Sequence, residues 1–87
     1  MKTSADVIKE LQAAVEKLES AQATLEDLIA VHDYQDVTSL TMQSANALLQ
    51  SAIAFMQSED ETALNLVEVG EDLLEDMYNI IDEDMES

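Results

Sequence analysis

The sequence predicts an all-α fold, a small antiparallel three-helix bundle with a long first helix. Three observations carry that prediction. The chain has no Pro and a single Gly, so it lacks the turn residues that the hairpins of an all-β fold need. Three segments repeat apolar residues at steps of three and four. The stretches between them are short and polar, and short connections make long helices antiparallel neighbours.

In the first segment Val7, Leu11, Ala14, Leu18, Ala21, Leu25 and Leu28 alternate four- and three-residue steps, with Ile8, Val15 and Ile29 widening the stripe. This predicts an amphipathic helix over 4–31, about 40 Å long at 1.5 Å per residue. Thr3 or Ser4 is placed to cap it, with Asp6 near the positive end of the helix dipole. His32 to Asp36 break the stripe and form a connection, and Asp36 is placed to cap a second helix over 37–57. There Met42, Ala45, Leu49, Ala52 and Met56 make the stripe, extended by Leu48 and Phe55. This helix is uncharged. That predicts a central position against both neighbours, since a helix covered on two sides avoids burying charge. Its small residues Ser44, Ala45, Ala47, Ser51, Ala52 and Ala54 permit close approach on more than one side.

Ser58 and Glu61 have capping-box spacing for a third helix over 59–84. Ala63, Leu66, Gly70, Leu73, Met77 and Ile80 line that helix, with Val67, Leu74 and Ile81 alongside. Gly70 lies within the apolar half, where a missing side chain lets another helix come near. A single domain over 1–87 is expected, with no repeat and no linker.

Composition narrows the function. With no Cys there is no disulfide framework, thiolate zinc site or redox motif. One Gly cannot build a phosphate-cradling loop, and no Ser has a nucleophile context. The single His has Ile29 three residues before it, so the Glu-x-x-His pairs of di-iron bundles are missing, and 82–86 lacks the glycine of a calcium loop. The expectation is a protein that is not an enzyme, with no cofactor and no specific metal site. His32 beside Asp33 and Asp36 is expected to be a polar connection. The first residues lead into a charged amphipathic stretch, and the uncharged run 37–58 is rich in Ser, Thr, Gln and Asn, so neither a secretory signal nor a membrane span is predicted. A cytoplasmic protein is the default expectation.

The net charge is −17, and it is unevenly placed. From Glu59 onward there are 12 acidic residues and no basic one. At 100° per residue, Glu68, Glu71, Asp72, Glu75, Asp76, Asp82 and Glu83 fall on an arc of about 140° opposite the apolar half. Like charges three and four residues apart cost a few tenths of a kcal/mol per pair, and anions at a helix C-terminus are disfavoured by the dipole. Repeated breaks of a local rule in one direction mark function. The charges recur about every 3.5 Å along the axis, close to the phosphate spacing of about 3.4 Å on one DNA strand.

These residues are therefore the candidate partner-binding face, acting as phosphate surrogates for a basic, nucleic-acid-binding protein. Small acidic inhibitors from phages and mobile elements, including anti-restriction and anti-CRISPR proteins, work by such imitation, although no motif ties this chain to one of their families. Direct binding of nucleic acid or an anionic membrane is excluded by the sign of the charge. The alternative is a helical adaptor or dimerisation module whose acidity only solubilises it. For that reading Gln43, Asn46 and Gln50 offer an exposed side of the second helix, Met42 and Met56 adaptable contacts, and Tyr34 and Tyr78 aromatic anchors. A homodimer is the matching expectation, because much Ala and few aromatics leave a thin core that a second copy can cover.

Overall fold

The computed structural model describes residues 1–28 and 35–86 as three α-helices, α1 (Ser4–Glu26), α2 (Gln35–Met56) and α3 (Asp60–Glu86), with no strand among the described residues. The all-α bundle predicted from periodicity is the fold observed. Its seams join α1 to α2 and α2 to α3, so α2 is the central helix. No Cα of α1 comes within 8 Å of one in α3 among the described residues. The bundle is thus open, a layer of three helices measuring 50 × 26 × 19 Å. Its radius of gyration is 15.2 Å, against about 12 Å for a compact chain of this length.

α1 starts at a capping box made by Thr3. Its hydroxyl accepts from Asp6 N–H at 3.3 Å, and the Asp6 carboxylate accepts from Thr3 N–H at 3.0 Å. Thr3, rather than Ser4, is the cap. The helix ends at Glu26, five residues short of the expected Val31, with Asp27 as C-cap. Two acidic residues at the negative end of the dipole oppose further extension. The Leu25 carbonyl, one of the last in the helix, accepts from Leu28 N–H at 3.2 Å and from the Gln35 side-chain amide at 3.1 Å. The first residue of α2 thereby ties off the end of α1. Asp36 consequently lies inside the first turn of α2 and is not its cap. His32, Asp33 and Tyr34 lie outside the described residues.

The α2–α3 connection departs from the expected capping box. Ser58 has φ 61°, in the left-handed region, and belongs to the end of α2. Glu59 N–H donates to Ala54 O at 2.9 Å and Ser58 N–H to Phe55 O at 3.1 Å, the paired bonds of a Schellman motif. α3 then starts from Glu59, whose carbonyl accepts from Ala63 N–H at 2.9 Å. Ser58 is one residue too early to cap α3, because the left-handed residue is what reverses the chain.

The buried face of α2 is also not the stripe of large residues. Ser44, Ala47, Ser51 and Ala54 are buried against α3, which contributes Ala63 and Gly70. Met42, Ala45, Leu49 and Ala52 are only half-buried and Met56 is exposed. A Cβ on Gly70 would stand 3.1 Å from Leu48 Cγ and Cδ2 and 3.5 Å from Ser44 O. The Ser44 hydroxyl donates to Gly70 O at 3.1 Å, and the Ser51 hydroxyl to Leu48 O at 2.6 Å, so both buried hydroxyls are satisfied. At the far end of the seam Thr41 Oγ1 lies 2.9 Å from Met77 Sδ. Every fully buried described residue is thus small. The large apolar side chains flank the seam and keep part of their surface in water, which leaves the core thin.

Candidate functional site

α3 has 27 residues and spans about 40 Å. Its inward side is fixed by Ala63 and Gly70 in the seam, with Val67, Leu74, Met77 and Ile81 half-buried around them. That fixes the opposite side as the outer edge of the layer, since among the described residues α3 packs on α2 alone. Glu68, Glu71, Asp72, Glu75, Asp76, Asp82 and Glu83 are all exposed there, and the structure brings together on one face the seven residues the sequence singled out.

The electrostatics of this face follow from where the cations are. The chain's three basic residues, Lys2, Lys9 and Lys17, are at or within α1, on the far side of α2. Lys2 pairs with Glu10 on α1 itself, and both side chains remain exposed. The acidic face therefore receives no compensation from a facing helix. Within it, Glu68, Glu71, Asp72, Glu75 and Asp76 are joined by steps of three and four, about 5–6 Å apart, so their fields add. At the N-terminus Glu59, Asp60 and Glu61 are exposed where the dipole favours anions, whereas Asp82 and Glu83 lie near the unfavourable end. Chemically this is a rigid row of acceptor-only groups, suited to Arg and Lys donors.

Sequence reasoning missed a second acidic feature. An open groove of about 650 Å3 runs between α1 and α3 over α2, walled by Glu16 and Glu19 of α1 and by Glu59, Thr62 and Leu66. Gln50, Ile53 and Gln57 form its floor. The available signal was the flanking position of Gln12, Val15, Glu16 and Glu19 beside the apolar stripe of α1. Among the described residues no group of His, Cys, Asp or Glu converges as a metal site. Nor is any helix long and apolar enough to cross a membrane.

The side of α2 expected to be exposed is half-buried at Gln43, Asn46 and Gln50, and it is partly self-satisfied. The Gln43 amide donates to Ser39 Oγ at 3.1 Å, and the Gln50 amide donates to Asn46 Oδ1. Tyr78 is 59% exposed and caps no core. The chain matches no protein-family model, and no curated protein or solved structure matches it.

Proposed function

We propose that the protein is a non-enzymatic inhibitor that presents the outer face of α3 as a phosphate backbone. It occupies the basic site of a nucleic-acid-binding protein, in the manner of anti-restriction and anti-CRISPR mimics. One observation carries the reading: seven exposed carboxylates stand on the outer face of an edge helix, with every basic residue of the chain at or within α1. Glu68 to Glu83 covers about 22 Å at 1.5 Å per residue, a mean axial step of just under 4 Å between successive carboxylates, with one gap of about 9 Å from Asp76 to Asp82. One strand of duplex DNA presents a phosphate for about every 3.4 Å of its axis. A groove of Arg and Lys that follows a phosphate backbone therefore meets a similar axial density of negative charge on this helix and releases its bound anions.

The test is capture of partners from native lysate at low and high salt by the natural chain and by E71K/D72K/E75K/D76K. The natural chain should retain basic nucleic-acid-binding proteins at low salt, lose them steeply as salt rises, and displace DNA from them. The reversed variant should retain and displace nothing while keeping its helical spectrum. Capture that is flat in salt, or indifferent to the reversal, overturns the reading.

A further inference from the structure

The groove between α1 and α3 is where the bundle stays open. In a closed three-helix bundle the first and third helices cover each other, whereas here they do not meet among the described residues. Val15 of α1, Ile53 of α2 and Leu66 of α3 line the gap and are only half-buried. The apolar flank of α3 runs on from there, since Val69 and Leu73 follow Leu66 by three and seven residues, and Val69 is 48% exposed. From Gln12 to Glu19 the α1 wall is about 10 Å long, close to two helical turns. The ionisable residues lining the gap are Glu16 and Glu19 on one wall and Glu59 on the other, all exposed, and none of the three lysines lines it. The result is a trough with apolar walls and floor, interrupted by the amides of Gln50 and Gln57 and rimmed by carboxylates.

We propose that this groove docks a basic amphipathic helix of a partner protein, which takes the fourth position of a helical bundle. Its apolar side chains cover Val15, Ile53 and Leu66, as one helix of a bundle covers its neighbours. Its Lys and Arg residues, placed on both flanks of that apolar face, meet Glu16 and Glu19 on one rim and Glu59 on the other. A helix fits the groove better than an extended segment. The walls are themselves helices whose main-chain groups are bonded internally, so a strand would find no ladder to join, while a helix satisfies its own backbone.

Charge selects a different chain as the occupant. In this sequence α2 and α3 contain no basic residue, and α1 sets Lys9 and Lys17 among five acidic residues, so no helix of a second copy supplies the cations. The groove is also a surface apart from the outer face of α3, since Leu66 and Glu75, nine residues apart, lie about 180° from each other around the helix. Docking there neither requires nor blocks the use of the outer carboxylates.

The probe is a synthetic Leu–Lys peptide of about four helical turns, with Leu at steps of three and four and Lys elsewhere, titrated calorimetrically at physiological salt. The natural chain should bind one peptide and raise its helicity. An Ala–Lys peptide of the same charge should bind about tenfold more weakly or worse, because it leaves the apolar walls uncovered. E16K/E19K should weaken the Leu–Lys peptide by about tenfold or more, and T62K should weaken it from the opposite wall. All three positions are exposed, so the helical spectra should match that of the natural chain. E10K/E61K makes the same change in net charge as E16K/E19K at exposed positions that do not line the groove, and should cost about threefold or less. Equal binding of the two peptides, or equal losses in the two double variants, overturns the proposal, because the field of the whole chain would then account for binding. Spermine binding as tightly as the peptide and displacing it would make the groove a site for small polycations, and a natural chain that sediments as a dimer dissociated by E16K/E19K would assign it to a second copy. Either result overturns the proposal.

Discussion

Ser58 holds the reversal between α2 and α3 at φ 61°, a backbone conformation in which a Cβ crowds the following carbonyl. Gly occupies such C′ positions most often because it has no Cβ. The two Schellman bonds, from Ser58 N–H to Phe55 O and from Glu59 N–H to Ala54 O, are made by backbone atoms and survive replacement of the side chain. S58G should therefore stabilise the fold by about 1 kcal/mol, because relief of the left-handed strain outweighs the greater freedom of Gly in the unfolded chain. For a domain of this length that raises the melting midpoint by about 4–8 °C. Thermal unfolding followed by circular dichroism checks it, and an unchanged or lowered midpoint would show that the turn stores no strain. S58A keeps the Cβ and should leave the midpoint close to that of the natural chain.

At the scale of elements, the seam between α2 and α3 depends on small residues, and Gly70 tests how tightly it closes. Ala at 70 gains about 1 kcal/mol of helix propensity but sets a Cβ 3.1 Å from Leu48, whose partly exposed side chain can swing outward. G70A should therefore fall within about 0.5 kcal/mol of the natural chain, while G70V, with methyls that also meet Ser44 O, should cost about 2 kcal/mol. Urea unfolding of the pair measures this. A G70V chain as stable as the natural one would mean that the helices are not in close contact there. The same seam explains which parts of the molecule were legible in the sequence. Period and connection length revealed three helices and their antiparallel order, and the wheel placed Glu68 to Glu83 outside because Ala63, Gly70 and Leu74 fix the inside. Weighting by apolar size, however, selected Met42, Leu49 and Met56 on α2, although the deepest positions are Ser44, Ala47, Ser51 and Ala54. Small residues let the backbones close over them, whereas Leu and Phe at the margins reach past the seam into water. The end of α1 was illegible for another reason. Its apolar stripe continues to Leu28, but the Leu25 carbonyl is engaged by Gln35, ten residues on, a contact no local pattern contains.

For the whole molecule, the excess of 17 negative charges on a body 19 Å across in its thinnest direction makes self-repulsion a term in its stability. The repulsion comes largely from α3, where neighbouring carboxylates stand about 5–6 Å apart, a distance that water and salt screen only in part. Lowering the Debye length from about 30 Å at 0.01 M to about 8 Å at 0.15 M removes the longer-range part. Unfolding separates the same charges, so screening favours the folded chain. The melting midpoint of the natural chain should rise between 0.01 M and 0.15 M sodium chloride by about 4–8 °C, the effect of roughly 1 kcal/mol in a domain of this length. E71Q/D72N/E75Q/D76N should remove most of that rise, since it discharges the densest part of the face. A midpoint that falls with added salt, or a rise that the four neutral residues leave intact, would mean that the acidic face imposes no cost on folding, and the imbalance on α3 would then be no sign of a function maintained against stability.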